Sequence, residues 1–317
     1  MSVELYRELL RSNAMQAGLV GLGRMGGNMA RRLAAAGHDL VIYNRTVARA
    51  RELAATQERL VVAETLADLV GALPVPRVVW VMLPAGEPTE SAVAELSGLL
   101  APGDVIVDGG NSNYKDSMRR SEAAALSGLH YVDVGTSGGV WGLTEGYSLM
   151  VGGESTAVQQ IRPLLEALAP APDRGWAHVG PSGAGHFTKM VHNGIEYGLM
   201  QAYAEGFEIL KSKTEFSLDL HQVAEVWRYG SVVRSWLLDL ISAGLAEDSS
   251  LRNVRGWVQD SGEGRWTVAE AMANDVPAPI ITMSLIMRLV SRQDESYAAK
   301  LLAVMRQQFG GHEVRPE

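Results

Sequence analysis

The sequence predicts two domains of different class: an α/β domain built on a doubly wound parallel sheet, then an all-α domain. Three observations carry this reading. A glycine-rich turn, Gly21 to Gly27, stands near the start between a short apolar run and a helix-forming stretch. Apolar runs then alternate with helical stretches as far as about residue 180. Beyond Gly183 the apolar periodicity is helical throughout.

Taken in order, Ala17 to Val20 reads as the first strand and Arg24 to Ala36 as a helix closed by Gly37. Leu40 to Tyr43 is the second strand and Val47 to Thr56 the next helix. Arg77 to Leu83, Val105 to Val107 and His130 to Val134 read as further strands, with a helix over Thr89 to Leu100. In the second half, Phe187 to Lys211, Leu220 to Trp227, Ser231 to Ala243, Thr267 to Asn274 and Ile280 to Phe309 read as helices. Gly180, Pro181, Gly183 and Gly185 mark the change, so the domains are expected at 15–182 and 183–317. Residues 1–14 have no signal-peptide core, and Ser12-Asn13-Ala14 precedes a second methionine. We expect 1–14 to be an added leader and Met15 the native start.

Composition narrows the function. The 317 residues are 47% hydrophobic and 20% charged, which fits a packed globular protein. Cysteine is absent, which excludes disulfides, thiol catalysis and thiolate metal sites, and fits a reducing, cytoplasmic setting. The longest apolar run, Val78 to Leu83, is too short to cross a membrane. The net charge of −8 argues against nucleic acid as a partner. No metal-ligand cluster stands out.

Gly21-Leu22-Gly23-Arg24-Met25-Gly26 has the spacing G-x-G-x-x-G. The first glycine suits a tight turn, the second lets backbone approach a pyrophosphate, and the third lets helix pack on strand. A Rossmann-like dinucleotide site is therefore expected, with the pyrophosphate at the helix N-terminus. The second strand ends in Asn44-Arg45-Thr46, with Arg49 a turn later, where an NAD site would carry a carboxylate. Arg45 can hold a 2′-phosphate, so NADP is favoured over NAD.

Lys189, Asn193 and Glu196 fall at i, i+4 and i+7 on one predicted helix face, near His192. A lysine in a closed pocket can serve as a base. Two polar turns follow strands, Asp108-Gly109-Gly110-Asn111-Ser112 and Gly135-Thr136-Ser137-Gly138-Gly139, where ligands of open parallel sheets bind.

With these motifs the chain resembles the 6-phosphogluconate dehydrogenases in their short form. The most specific is Lys-Met-Val-His-Asn-Gly-Ile-Glu-Tyr at 189–197, joined by Asn-Arg-Thr at 44–46 and Ser-Gly-Gly at 137–139. The resemblance implies oxidative decarboxylation of 6-phospho-D-gluconate to ribulose 5-phosphate, a pentose phosphate pathway step, with NADP or NAD and no metal. Lys189 would be the base, Glu196 the acid and Asn193 part of the catalytic set. Asn111 would meet both cofactor and substrate, with Ser137, Gly138, Gly139, His186 and Tyr197 also on the substrate. Val232-Val233-Arg234-Ser235 resembles a phosphate-binding segment, and Arg306 to His312 resembles a tail that completes a partner subunit's site. Arg234, Arg306 and His312 would then bind phosphate, and the protein would be at least a dimer. Ser261 and Glu263 stand where the longer enzymes carry a phosphate-binding lysine and threonine. The alternative is a 3-hydroxyacid dehydrogenase of the 3-hydroxyisobutyrate or tartronate-semialdehyde type, which uses the same lysine without decarboxylation.

Overall fold

The computed structural model describes residues 14–315. The expected leader therefore lies, but for the exposed Ala14, outside the described residues. The chain forms two compact units that meet in sequence between Val191 and His192, inside one helix.

The first unit is an eight-stranded sheet in the order β3-β2-β1-β4-β5-β6-β7-β8. The strands are β1 (Gln16–Val20), β2 (Asp39–Tyr43), β3 (Leu60–Val62), β4 (Val78–Val81), β5 (Val105–Asp108), β6 (His130–Ser137), β7 (Ser148–Gly152) and β8 (Trp176–Gly180). Its helices are α1 (Arg24–Ala35), α2 (Val47–Ala54), α3 (Leu66–Gly71), α4 (Glu87–Leu99), α5 (Tyr114–Leu126), α6 (Gly142–Glu145) and α7 (Ser155–Leu168). Neighbouring residues of the central strands feed opposite faces. Leu19, Ile42, Trp80 and Val107 pack with Met29, Leu33 and Ile161. Val20, Val41, Val79 and Ile106 pack with Leu66, Leu69 and Leu96. A sheet buried on both faces explains the unbroken apolar runs. The chain reverses direction of winding between β1 and β4, the crevice where ligands of such sheets bind.

The sheet is parallel from β3 to β6, but β7 pairs antiparallel with β6, and β8 runs with β7. The fully parallel sheet expected from sequence is corrected at this edge. Sequence pattern does not mark β3, α3, α5, α6, β7, α7 and β8. Strand β8 is largely exposed, so it lacks the apolar run that marks the inner strands.

The long helix α8 (Ala184–Ser212) begins in the first unit and continues into the second. The second unit adds α9 (Leu220–Arg228), α10 (Trp236–Glu247), α11 (Glu263–Ala273), α12 (Pro279–Val290) and α13 (Tyr297–Gly310). Among the described residues no strand follows Gly180. Several helix boundaries differ from expectation, α11 starting at Glu263 rather than Thr267, and two differences have a clear cause. The Ser235 hydroxyl accepts from Leu238 N, so α10 starts at Trp236 rather than Ser231. The stretch Ile280 to Phe309 is two helices, because Ser296 caps a new start by accepting from Ala299 N.

His38, wholly buried, uses Nδ1 to accept from the Met15 backbone N–H at 3.1 Å. Burial, foremost, lowers its pKa from 6.5 to about 4. The unfolded chain therefore binds the extra proton first as pH falls. This contribution to stability is complete above 6.5 and is lost as pH falls toward about 4, by about 3 kcal/mol in full. His38→Asn keeps an acceptor but cannot titrate in this range. Urea midpoints from pH 7 to 4.5 should fall less steeply for the variant than for the parent; parallel curves would show that His38 is not the titrating group.

Candidate active site

The glycine turn joins β1 to α1 at the switch point. Gly21 has φ +95°, and a Cβ there would sit 2.5 Å from Met82 O. A Cβ on Gly26 would sit 2.0 Å from Gly21 O. These two glycines are required by the fold itself. Gly23 differs: a Cβ there meets nothing within 4 Å, although Gly23 is the N-cap of α1 and no side chain caps that end. Open space over uncapped helix N–H groups fits a dinucleotide pyrophosphate. Arg24 and Met25 form the first turn beside it. Asn44 braces the cradle: Leu22 N donates to Asn44 Oδ1 at 3.0 Å, and Asn44 Nδ2 donates to Thr46 O at 3.0 Å. Arg45 and Arg49 are exposed, with no ion-pair partner among the described residues.

Asn111 is half-buried in the turn after β5. The turn is anchored by Asp108, which is wholly buried. Its carboxylate accepts from Gly110 N at 3.1 Å, Ser112 Oγ at 2.7 Å, Tyr131 OH at 2.8 Å and Arg120 Nη1 at 3.3 Å. Burial, then the Asp108 charge, pushes the Tyr131 phenol well above its usual range, so it remains a donor. The turn is thus rigid rather than a flexible glycine loop.

Asp133 on β6, also wholly buried, seats the next element. Its oxygens accept from Gly183 N at 2.6 Å and His186 N at 2.8 Å, capping the first turn of α8. Three glycines let that turn lie directly on the sheet. A Cβ on Gly185 would be 2.4 Å from Met150 O, on Gly152 2.6 Å from Asp133 Oδ1, and on Gly135 2.4 Å from Lys189 Cβ. Lys189 is therefore pressed onto β6 two residues before Ser137, and is buried with 8% exposure. Ser137 and Gly138 are half-buried and Gly139 exposed; both glycines have positive φ, +136° and +52°.

Further along α8, His192 Nδ1 lies 3.1 Å from Asn193 Oδ1 and 4.0 Å from Glu196 Oε2. His192, Asn193 and Glu196 are half-exposed on the face that carries Lys189. His186 behaves differently from the substrate ligand expected. It is buried, its Nδ1 lies 2.7 Å from Ser117 Oγ, and its Nε2 is enclosed without a hydrogen-bond partner among the described residues. His192 is the more exposed imidazole of the pair.

In the second unit Tyr197 is buried under the segment before α11. Its OH accepts from Ser261 N at 3.2 Å, and Gly264 leaves no room for a Cβ against its ring. The Arg288 guanidinium stacks over that ring at 3.4 Å and donates to Gln259 O, with no carboxylate partner among the described residues. Sequence reasoning missed Arg288, which sits inside an apolar helical pattern on α12. Asp260 accepts from Arg265 and Arg292; the Arg265 guanidinium, foremost, holds the Asp260 carboxyl down at about 2. Glu263 is buried. Arg234 lies in the loop before α10, Arg306 on α13 and His312 beyond it. All three are exposed, and the described residues bring none of them to an ion-pair partner. Among the described residues no cluster of His, Asp or Glu could hold a metal, and no helix is long and apolar enough to cross a membrane.

The cradle at the sheet's switch point, followed by a lysine-bearing helix seated on β6, defines a dinucleotide-binding oxidoreductase fold with a helical second unit. Residues 16–180 match the NAD binding domain of 6-phosphogluconate dehydrogenase, and residues 185–314 match that enzyme's C-terminal domain. An NAD(+)-dependent, decarboxylating 6-phosphogluconate dehydrogenase of Haloferax volcanii is 43% identical over 304 residues, covering 95% of this chain and 98% of the relative. A Plasmodium falciparum 6-phosphogluconate dehydrogenase, solved apo and with NADP+ or 6-phosphogluconate, superposes with a TM-score of 0.81 at 28% identity, over 95% of this chain and 66% of that one. A Mycobacterium tuberculosis 3-hydroxyisobutyrate dehydrogenase shares the fold, with a TM-score of 0.70 at 21% identity over 92% and 94% of the two chains. The chain belongs to the 6-phosphogluconate dehydrogenase family.

Gly23 gives a direct test of the cradle. Its φ of −64° suits alanine and its surroundings are open, so Gly23→Ala should leave the melting temperature unchanged. Fluorescence titration should show dinucleotide affinity reduced by about tenfold or more. Unaltered affinity would remove the pyrophosphate from this turn.

Proposed function

We propose that the chain oxidises and decarboxylates 6-phospho-D-gluconate, giving ribulose 5-phosphate, carbon dioxide and a reduced nicotinamide cofactor. The observation that carries this reading is Lys189. It is buried on β6 beside the Ser137-Gly138-Gly139 turn, on the helix that also bears Asn193 and Glu196. Lysines removed from water serve as bases.

A nicotinamide cofactor held at the Gly21–Gly26 turn would supply the hydride acceptor for C3. Lys189 takes the proton of the C3 hydroxyl as that hydride leaves, which yields a 3-keto acid. The ammonium of Lys189 then hydrogen-bonds the new carbonyl oxygen. As the C1–C2 bond breaks, carbon dioxide departs and the electron pair flows into an enediolate, whose oxygen takes the proton back from Lys189. Glu196 protonates the carbon that carried the carboxylate while the neutral Lys189 amine takes the proton from the enediol oxygen at C3, which restores the carbonyl and completes the ketose. Asn111, Asn193 and His192 orient hydroxyls. Ser137, Gly138 and Gly139 offer a polar turn to the carboxylate. The keto group is the electron sink, so the chemistry needs no metal.

Tyr197 and Arg288 are proposed to meet the phosphate, since among the described residues Arg288 is a cation without a carboxylate partner, beside a fixed phenol. Arg234, Arg306 and His312 supply further charge, the last two from the tail of a second copy of the chain, in at least a dimer. NADP is the proposed cofactor, with Arg45 on its 2′-phosphate and Arg49 in support.

Two outcomes test this. Lys189→Met should lower kcat by about 10³-fold while dinucleotide binding persists, a typical loss for a general base; near-normal turnover would refute the mechanism. Arg45→Ala should lower kcat/KM for NADP at least about tenfold and leave NAD little changed. Equal losses with both cofactors would separate Arg45 from the 2′-phosphate.

A further inference from the structure

The segment before α11 is tied down on several sides at once. Asp260 accepts from its own loop through Gly262 N at 3.0 Å. It accepts from Arg265 through Nε at 3.2 Å and Nη2 at 3.1 Å, a two-point fork, and also from Arg292 Nη2. Its side chain is only 6% exposed. Arg292 also donates to Val258 O at 3.0 Å, and Ser291 Oγ accepts from Val258 N at 3.1 Å. Arg288 donates to Gln259 O at 2.9 Å. The loop is thereby strapped to α12 and presents Ser261 to Tyr197.

Arg265, Arg288 and Arg292 surround this loop and differ in their commitments. Arg265 and Arg292 place their charge on one carboxylate, whereas Arg288 lies on the Tyr197 ring and, among the described residues, bonds a carbonyl and the Met200 sulfur. A carboxylate that accepts from two guanidiniums and a backbone amide fixes all three donors together.

We infer that Asp260 is a positioning residue for the phosphate end of the substrate: it gathers Arg265, Arg292 and the Gly262 amide into one rigid loop, which holds Ser261 and Tyr197 in register with Arg288. Asp260 itself touches no reacting atom, and as a carboxylate it would repel the phosphate if it faced it. Its effect is on phosphate affinity, not on the proton and hydride steps at Lys189. This rests on the function proposed above, and the test separates the two.

The full-length chain and Asp260→Asn are compared by initial rates with 6-phosphogluconate and by calorimetric titration with inorganic phosphate. The asparagine keeps the size but loses the charge that holds two guanidiniums. The expected result is a KM for 6-phosphogluconate raised about tenfold, an inorganic phosphate affinity weakened in step, and kcat and the cofactor KM within about twofold. Asp260→Glu should recover part of the loss. Arg292→Gln, which leaves Asp260 in place but removes one of its partners, should shift the same two quantities in the same direction. It serves as the deciding variant if Asp260→Asn does not fold. Unchanged phosphate affinity in a folded variant, or a fall in kcat with an unchanged substrate KM, would overturn the inference. A parent protein that binds phosphate in an Asp260-dependent way but does not turn over 6-phosphogluconate would overturn the proposed reaction and leave this loop as an anion site.

Discussion

The site depends on one buried contact: the Asp133 carboxylate holding the first turn of α8. It satisfies two helix N–H groups that would otherwise be orphaned inside the protein, and complements the positive end of the helix. The glycines at 135, 152 and 185 are the steric counterpart. Each faces a backbone or side-chain atom at a distance no Cβ could share, so the helix can come down onto the β6–β7 pair only because they are glycine. Lys189 is placed by that seating. It lies little more than one turn past the capped end, on the inward side, and loses its contact with water there.

The same economy governs the first half of the sheet. The switch point between β1 and β4 opens a crevice, and the glycine turn fills its edge with backbone alone. Two of its glycines are needed to close the turn and pack the helix, and Gly23 leaves a gap. The neighbouring turn after β5 is held from beneath by Asp108, Arg120 and Tyr131, so Asn111 stands on an immobile base. Buried charges of this kind are tolerated because each carboxylate oxygen has donors around it.

Much of this was legible in the sequence. The glycine spacing announced the cradle, and the contrast between alternating strands and unbroken helical periodicity announced the two classes of unit. The parts that were not legible have definable causes. Strand β8 is exposed and β3 has three residues, so neither carries a buried run. The reversal at β7 depends on pairing, which local pattern does not encode. Asp133 and Asp108 act through partners distant in sequence, and each reads locally as an ordinary strand-end aspartate. His186 and His192 stand six residues apart on one helix, and burial tells them apart: Ser117, far off in sequence, claims the first. Arg288 was hidden because a single arginine in an apolar helix looks like a solvated end, whereas its guanidinium lies on the Tyr197 ring.

In the proposed reaction this arrangement couples oxidation at C3 to loss of the carboxylate. The most direct measurement follows 6-phosphogluconate turnover by the purified chain, with reduced cofactor and trapped carbon dioxide quantified together. One carbon dioxide is expected for each cofactor reduced. Cofactor reduction without carbon dioxide, or turnover only with unphosphorylated 3-hydroxyacids, would contradict it.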